Sequence, residues 1–297
     1  MTPTLVRQHV SHADSAPRVD PSARARDWSE IQERMLVPLY EAVYDRLEVG
    51  PATRLLGLRC GSGLALLMAA ARGAAVTGVD SVPERLALAR ERLLPGKPSG
   101  GAHGSGRPGT HARTAARLVD GSPADAADAA GAETDPYTLV TVFEPIGGLA
   151  GDSEGLGELL AGALPSAARG AAVVLAGWGP PERCATSSVL RVAGKLADPL
   201  RGGRGWRPAR RDDLEEVAGR AGLKPDGSGR VACPFGYAGP DSAVRGLLST
   251  GLFDAAIAAT DAKQVDKELT EALHPYRRPD GTVWMPNVFR YLVARVP

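Results

Sequence analysis

Cysteine is scarce in this chain, long apolar runs are missing, and neither sign of charge prevails. Only three cysteines occur in 297 residues. Cys60, Cys184 and Cys233 are far apart and odd in number, which speaks against a disulfide scaffold and for reduced thiols in a cytoplasmic protein. No stretch reaches the roughly 20 apolar residues of a membrane span, and the first residues lack the apolar core of a secretion signal. The formal net charge is +1, so no overall basic field draws the chain to nucleic acid or an anionic membrane. His9, His12, His103 and His111 form no cluster with ligand spacing, so no metal site is expected. No internal repeat is present.

What is there is a rhythm of short apolar strands and amphipathic helices. Residues 1–26 are polar and aperiodic and read as a disordered arm. A helical pattern follows, with Ile31, Met35, Leu39, Tyr40, Val43 and Leu47 on one face. The domain then spans 27–297. Arg54 to Leu58 is an apolar strand that ends at Cys60-Gly61-Ser62-Gly63, and the helix from Leu64 to Arg72 comes next. Ala75 to Val79 is a second buried strand, with Asp80 at its end. Ser81-Val82-Pro83-Glu84 has the pattern of a capping box. Alternating strands and helices imply a parallel sheet with right-handed crossovers. Residues 95–114 are too rich in glycine and polar residues to pack, and read as a disordered insertion. Further strands are expected near Ala116 to Asp120, from Tyr137 to Phe143, from Ala171 to Trp178 and from Asn287 to Arg295, with a weak strand ending at Val231. Helical segments fill 241–274.

A glycine turn between a first strand and its helix lets a ligand approach the backbone, and the helix offers free N–H groups there. An acid at the end of the second strand then meets ribose hydroxyls. Asp80 stands in that place relative to Gly61 and Gly63. On these residues the chain resembles the class I S-adenosylmethionine-dependent methyltransferases, especially the bacterial small-molecule enzymes. The frame is carried by Leu55-Leu56-Gly57-Leu58-Arg59-Cys60-Gly61-Ser62-Gly63. It continues through ARGAAVTGVDSVPERLALARERL, Gly177 to Glu182, and the final NVFRYLVAR.

The resemblance implies a Rossmann-like, seven-stranded mixed sheet with the N-terminal helix and the 241–274 helices as a lid. It also implies S-adenosylmethionine as cofactor, held by Arg59, Gly61, Ser62, Gly63, Asp80, Ser81, Val82, Asp120, Gly121 and Phe143. Gly57 replaces the family's acid and Arg59 its first glycine, while Asp120-Gly121 reverses a common Gly-Asp order. Thiopurine-type methyltransferases have a comparable Pro-Leu-Cys-Gly loop. Restoring the family pattern through Gly57→Asp with Arg59→Gly is therefore expected to favour cofactor binding.

Glu144 follows the fourth strand and is a candidate base for an acceptor hydroxyl; a solvated or helix-capping carboxylate is the alternative. Trp28 and Tyr40 are candidate lid residues, or simply core. Arg201, Arg204, Arg207, Arg210 and Arg211 surround Trp206, but this reads better as a charged loop than as a nucleic-acid site. The sequence therefore points to methyl transfer onto a small molecule. The alternative is an inactive relative that serves as a ligand-binding or protein-interaction module, and a homodimer is the default assembly.

Overall fold

The computed structural model describes residues 20–94, 116–130, 135–197 and 207–297. The expected insertion at 95–114 lies outside them, as do residues 1–19 of the expected arm and the Arg201 to Trp206 stretch.

Seven strands form one sheet: β1 (Arg54–Leu58), β2 (Ala75–Asp80), β3 (Ala116–Asp120), β4 (Tyr137–Ile146), β5 (Ala167–Trp178), β6 (Lys224–Ala232) and β9 (Val288–Arg295). Their order is β3-β2-β1-β4-β5-β9-β6. The first five strands run parallel, and β9 lies antiparallel between β5 and β6. This is the seven-stranded mixed sheet that the sequence implies. The order reverses between β1 and β4, which opens a crevice beyond the carboxyl ends of these strands.

Side chains alternate across the sheet. On β4, Leu139 and Phe143 enter one core while Val140 and Val142 enter the other. On β9, Phe289, Tyr291 and Val293 face the first core, and Leu292 and Ala294 the second. The second face is covered by α5 (Pro123–Ala130), α6 (Leu156–Ala163) and α8 (Asp213–Arg220). The first face carries α2 (Val37–Arg46), α3 (Leu64–Ala71) and α7 (Thr186–Leu196), and the additions gather on the same side. They are α9 (Pro240–Ser249), α10 (Asp254–Ala259) and α11 (Ala262–Leu273), where helical segments are expected over 241–274.

The structure departs from the sequence reading in several places. Helix α1 (Pro21–Asp27) occupies part of the expected arm. Asp20 caps it by accepting from the Ser22 N–H at 2.9 Å, and Arg24 pairs with Asp254 at 2.9 Å, so these residues belong to the helical cover. Helix α4 (Pro83–Leu93) starts without a capping box; the Asp80 carboxylate, not Ser81, accepts the Val82 N–H at 2.9 Å. Two short strands, β7 (Phe235–Tyr237) and β8 (Val283–Met285), pair as a separate small sheet. Three residues are too few to show a period in sequence. Among the described residues no helix is long and apolar enough to cross a membrane.

Candidate functional site

The turn after β1 follows the glycine logic of its sequence. Gly61 and Gly63 have φ of +59° and +78°, in the left-handed region. Arg59 shares that region at +49°. An L residue there costs roughly 1–2 kcal/mol, which is the physical reason a glycine suits the position.

Asp80 fixes the turn from the neighbouring strand. Its Oδ2 accepts the Gly61 N–H at 2.8 Å. Burial pushes its carboxyl above the ordinary carboxylate range, against the opposing pull of the Val82 and Gly61 N–H groups. Cys60 sits beside it, and burial lifts its thiol far above the ordinary value, so it is not a ready nucleophile.

Over this turn lies the segment joining α1 to α2. Trp28–Gln32 is a π-helical turn and Glu33–Leu36 a 3₁₀ turn. The extra residue per turn shifts the helical register. As a result Trp28, Ser29, Gln32 and Glu33 are buried along with Ile31 and Met35. Glu33, whose side chain is only 3% exposed, pairs with Arg92 at 2.8 Å. It also accepts the Ser62 hydroxyl in a short hydrogen bond, and the Leu64 N–H at 3.4 Å. The carboxylate thus stands at the N-terminus of α3, where a helix favours negative charge. The Trp28 ring lies under the Arg85 guanidinium, 4.6 Å from its centroid. Its buried Nε1–H has no hydrogen-bond partner. A side chain at Gly61 would meet that nitrogen at 3.1 Å.

Two cavities open at the crevice. The first, about 30 Å³, lies over the glycine turn and is walled by Trp28, Glu33, Tyr40, Arg59, Gly61 and Phe143, among others. Tyr40 and Phe143 meet there with ring centroids 4.8 Å apart. The second, about 270 Å³, lies toward β5 and β9 and is walled by Trp178, Phe235, Leu252 and Phe289, among others. Trp28, Leu36, Arg59 and Glu144 line both. Arg59 Nη1 and the Glu144 carboxylate are 3.1 Å apart at the junction.

Of the residues expected around a cofactor, Arg59, Gly61 and Phe143 line the first cavity, with the expected lid pair Trp28 and Tyr40 and the candidate base Glu144. Asp80 is on the wall of neither cavity and braces the turn from behind through the Gly61 N–H. Ser62 turns away, into the bonds with Glu33, Ser29 and Arg92. Gly63 packs on α4, where a Cβ would meet Ala89 at 3.0 Å. Ser81, Val82, Asp120 and Gly121 lie on the wall of neither cavity, although the Gly121 N–H donates to the Asp80 carbonyl at 3.3 Å. Gly57 is not open space. A Cβ there would meet Leu66 Cδ2 at 2.8 Å, so an acid at this position must first displace Leu66. Arg207, from the arginine-rich run, is engaged with Asp213 at 2.9 Å. Sequence reasoning missed Glu33, Arg92, Trp178, Phe235 and Phe289. For Glu33 the signal was a carboxylate among apolar helical positions, but a regular helix would have turned it to solvent.

No family model matches the sequence, and none of the curated proteins does. Solved structures do resemble it. A presumed methyltransferase from Bacillus halodurans C-125 superposes with a TM-score of 0.50 at 14% identity, over 87% of this chain and 98% of its own. The YcgJ protein of Bacillus subtilis gives 0.49 at 14%, over 86% and 97%. YjhP of E. coli gives 0.48 at 17%, over 93% and 99%. Strand order, the glycine turn with Asp80, and the first of these superpositions agree: the chain has the Rossmann-like fold of the class I S-adenosylmethionine-dependent methyltransferases.

Proposed function

We propose that the chain binds S-adenosylmethionine over the glycine turn and transfers its methyl group to a small molecule held in the larger cavity. The observation that carries this reading is the meeting of the two cavities at Glu144, which lies within the last residues of β4 rather than after it, beside the carboxyl end of β1. The groups present suit a nucleoside cofactor: two glycines in the left-handed region, a carboxylate at the end of β2, and a buried Trp28 N–H that lacks an acceptor. When bound, the cofactor supplies a methyl group on a sulfonium.

The remaining work falls to this chain's own residues. Asp80 accepts the ribose hydroxyls, and Trp28 offers its N–H from above. A cavity of about 30 Å³ is far below the ~300–1,000 Å³ of ordinary ligand sites. The Trp28–Leu36 segment therefore lifts from the glycine turn for entry and closes again to exclude water. Holding the acceptor atom close and aligned supplies most of the rate. Glu144 takes the proton of an acceptor hydroxyl or amine as its oxygen or nitrogen gains the methyl, while Arg59 holds that carboxylate at the junction. The three thiols stand free, in keeping with work in a reducing cytoplasm.

The test is methyl transfer from labelled S-adenosylmethionine into a pool of small hydroxylated and amino compounds. Glu144→Gln should slow any transfer found by roughly 10²–10⁴-fold. An unchanged rate would remove Glu144 from the reaction.

A further inference from the structure

The segment over the glycine turn is tied down on one side and anchored on the other. Toward the turn, the Glu33 carboxylate is the centre of a buried polar cluster. Its Oε2 accepts from Arg92 Nη1 at 2.8 Å and from the Ser62 hydroxyl. Arg92 also donates to the Ser62 carbonyl and to the Ser29 hydroxyl, both at 2.8 Å. One carboxylate thus joins the Trp28–Leu36 segment, the turn after β1 and the last turn of α4.

Toward α9 the same segment has a separate set of ties. Gln32 accepts the Tyr237 hydroxyl at 3.0 Å in the core. Ile31 lies against Gly246 of α9, where a Cβ would meet its Cγ2 at 2.7 Å. Asp27 pairs with Arg245, beside the Arg24–Asp254 pair. Breaking the Gln32 bond strands a buried polar group, whereas a lifted Glu33 carries its charge back into water and recovers its hydration. The segment therefore pivots on its α9 side and opens on its Glu33 side.

Closed, it leaves no room on the face of the turn. A Cβ at Gly61 would meet Glu33 Oε1 and Trp28 Nε1, each at 3.1 Å, so even a methyl group fits there only if its neighbours yield. The closed arrangement also buries the Trp28 N–H without an acceptor, a cost that lifting the ring into water relieves. Glu33 opposes that release. A ligand lying on Gly61 and the Glu33 contacts exclude one another.

We propose that Glu33 is an autoinhibitory latch: clamped by Arg92 and Ser62, it holds the Trp28–Leu36 segment down on the turn in the ligand-free chain, and a nucleoside cofactor enters only when that clamp breaks. The segment then closes on the ligand instead of on the turn. Cofactor affinity is reduced by the fraction of molecules that are latched, so loosening the latch tightens binding. This rests on the reading of the glycine turn as the cofactor site.

The experiment pairs amide hydrogen exchange of the ligand-free full chain with stopped-flow and calorimetric binding of S-adenosylhomocysteine. Glu33→Gln keeps the shape and removes the charge, and Arg92→Met removes the clamp from the α4 side. In each, amides of residues 28–36 should exchange about tenfold faster while those of β4 and β5 keep their rates. S-adenosylhomocysteine should bind each variant about tenfold faster and tighter than the unaltered chain. Arg245→Met, which cuts an exposed tie on the α9 side, should change neither rate by more than about twofold. Should Glu33→Gln fail to fold, Arg92→Met carries the test. Unchanged exchange at 28–36, a rise spread evenly over the sheet, or weaker binding in both variants would overturn the latch and leave Glu33 a structural or ligand-holding group. An equal response to Arg245→Met would overturn its assignment to Glu33. Exchange is read without ligand, so the two readings fail separately: the expected exchange with no binding by any protein refutes the cofactor reading alone, and binding with unchanged exchange refutes the latch alone.

Discussion

The two cavities share Arg59 and Glu144 but are built differently. The one over the glycine turn sets the local turn Arg59-Cys60-Gly61, braced by Asp80 at the end of the next strand, beneath side chains such as Trp28, Glu33, Tyr40 and Phe143. The other has no such local turn: Trp178, Phe235, Phe289 and Leu252 arrive from β5, β7, β9 and the loop between α9 and α10. Its walls are shared with the core, so ligand recognition and stability are coupled there.

The largest effect should therefore come from the second cavity. Phe289 is fully buried and stacks with Trp178 and Phe235. Phe289→Ala should destabilise the fold by about 3–5 kcal/mol, read from urea unfolding. A loss below about 1 kcal/mol would mean that the aromatic cluster is not part of the core and would dissolve the contrast.

This difference in construction also decides what the sequence could reveal. A run such as Arg59-Cys60-Gly61-Ser62-Gly63 with an acid at the end of the next strand is local, and its chemistry follows from backbone conformation. That is why the turn, Asp80 and the five parallel strands were legible. So was β9, whose Phe289, Tyr291 and Val293 alternate cleanly. Trp178, Phe235 and Phe289 carry no mark in sequence that separates a cavity wall from ordinary core, because only the tertiary fold brings them together. The π turn at Trp28–Gln32 defeats regular helical periodicity, so Glu33 was invisible as a buried partner of Arg92 and Ser62. At Gly57 the motif alone suggested that an acid could simply be restored, whereas Leu66 fills the space its Cβ would take.

An intermediate effect is expected from pH. The Asp80 carboxyl is raised above its ordinary 3.8 by burial. Between that value and the raised one, the folded protein holds a proton that the unfolded chain has released. Stability therefore falls as pH rises across this window. Asp80→Asn should flatten that part of the stability–pH curve. An unchanged slope would show that Asp80 is not the group responsible.

The smallest effect belongs to Arg59→Gly. It removes left-handed strain of roughly 1–2 kcal/mol. Against this stand the entropic cost of glycine, about 0.5–1 kcal/mol, and the loss of a partly exposed ion pair worth about 0–1 kcal/mol. The net change should lie within about 1 kcal/mol of zero by chemical denaturation. A loss above about 2 kcal/mol would make Arg59 a structural keystone of the turn. The single substitution sharpens the comparison better than one paired with Gly57→Asp, which forces Leu66 aside.

Whether the cavity over the glycine turn receives a nucleoside cofactor is best decided by calorimetric titration of the full chain with S-adenosylhomocysteine, beside Asp80→Ala. The unaltered chain should bind at micromolar strength, about −8 kcal/mol. The substitution should weaken binding by about 1.5–3 kcal/mol, the worth of a hydrogen bond to a charged group. No heat of binding to the unaltered chain, or equal binding by the two proteins, would contradict the account.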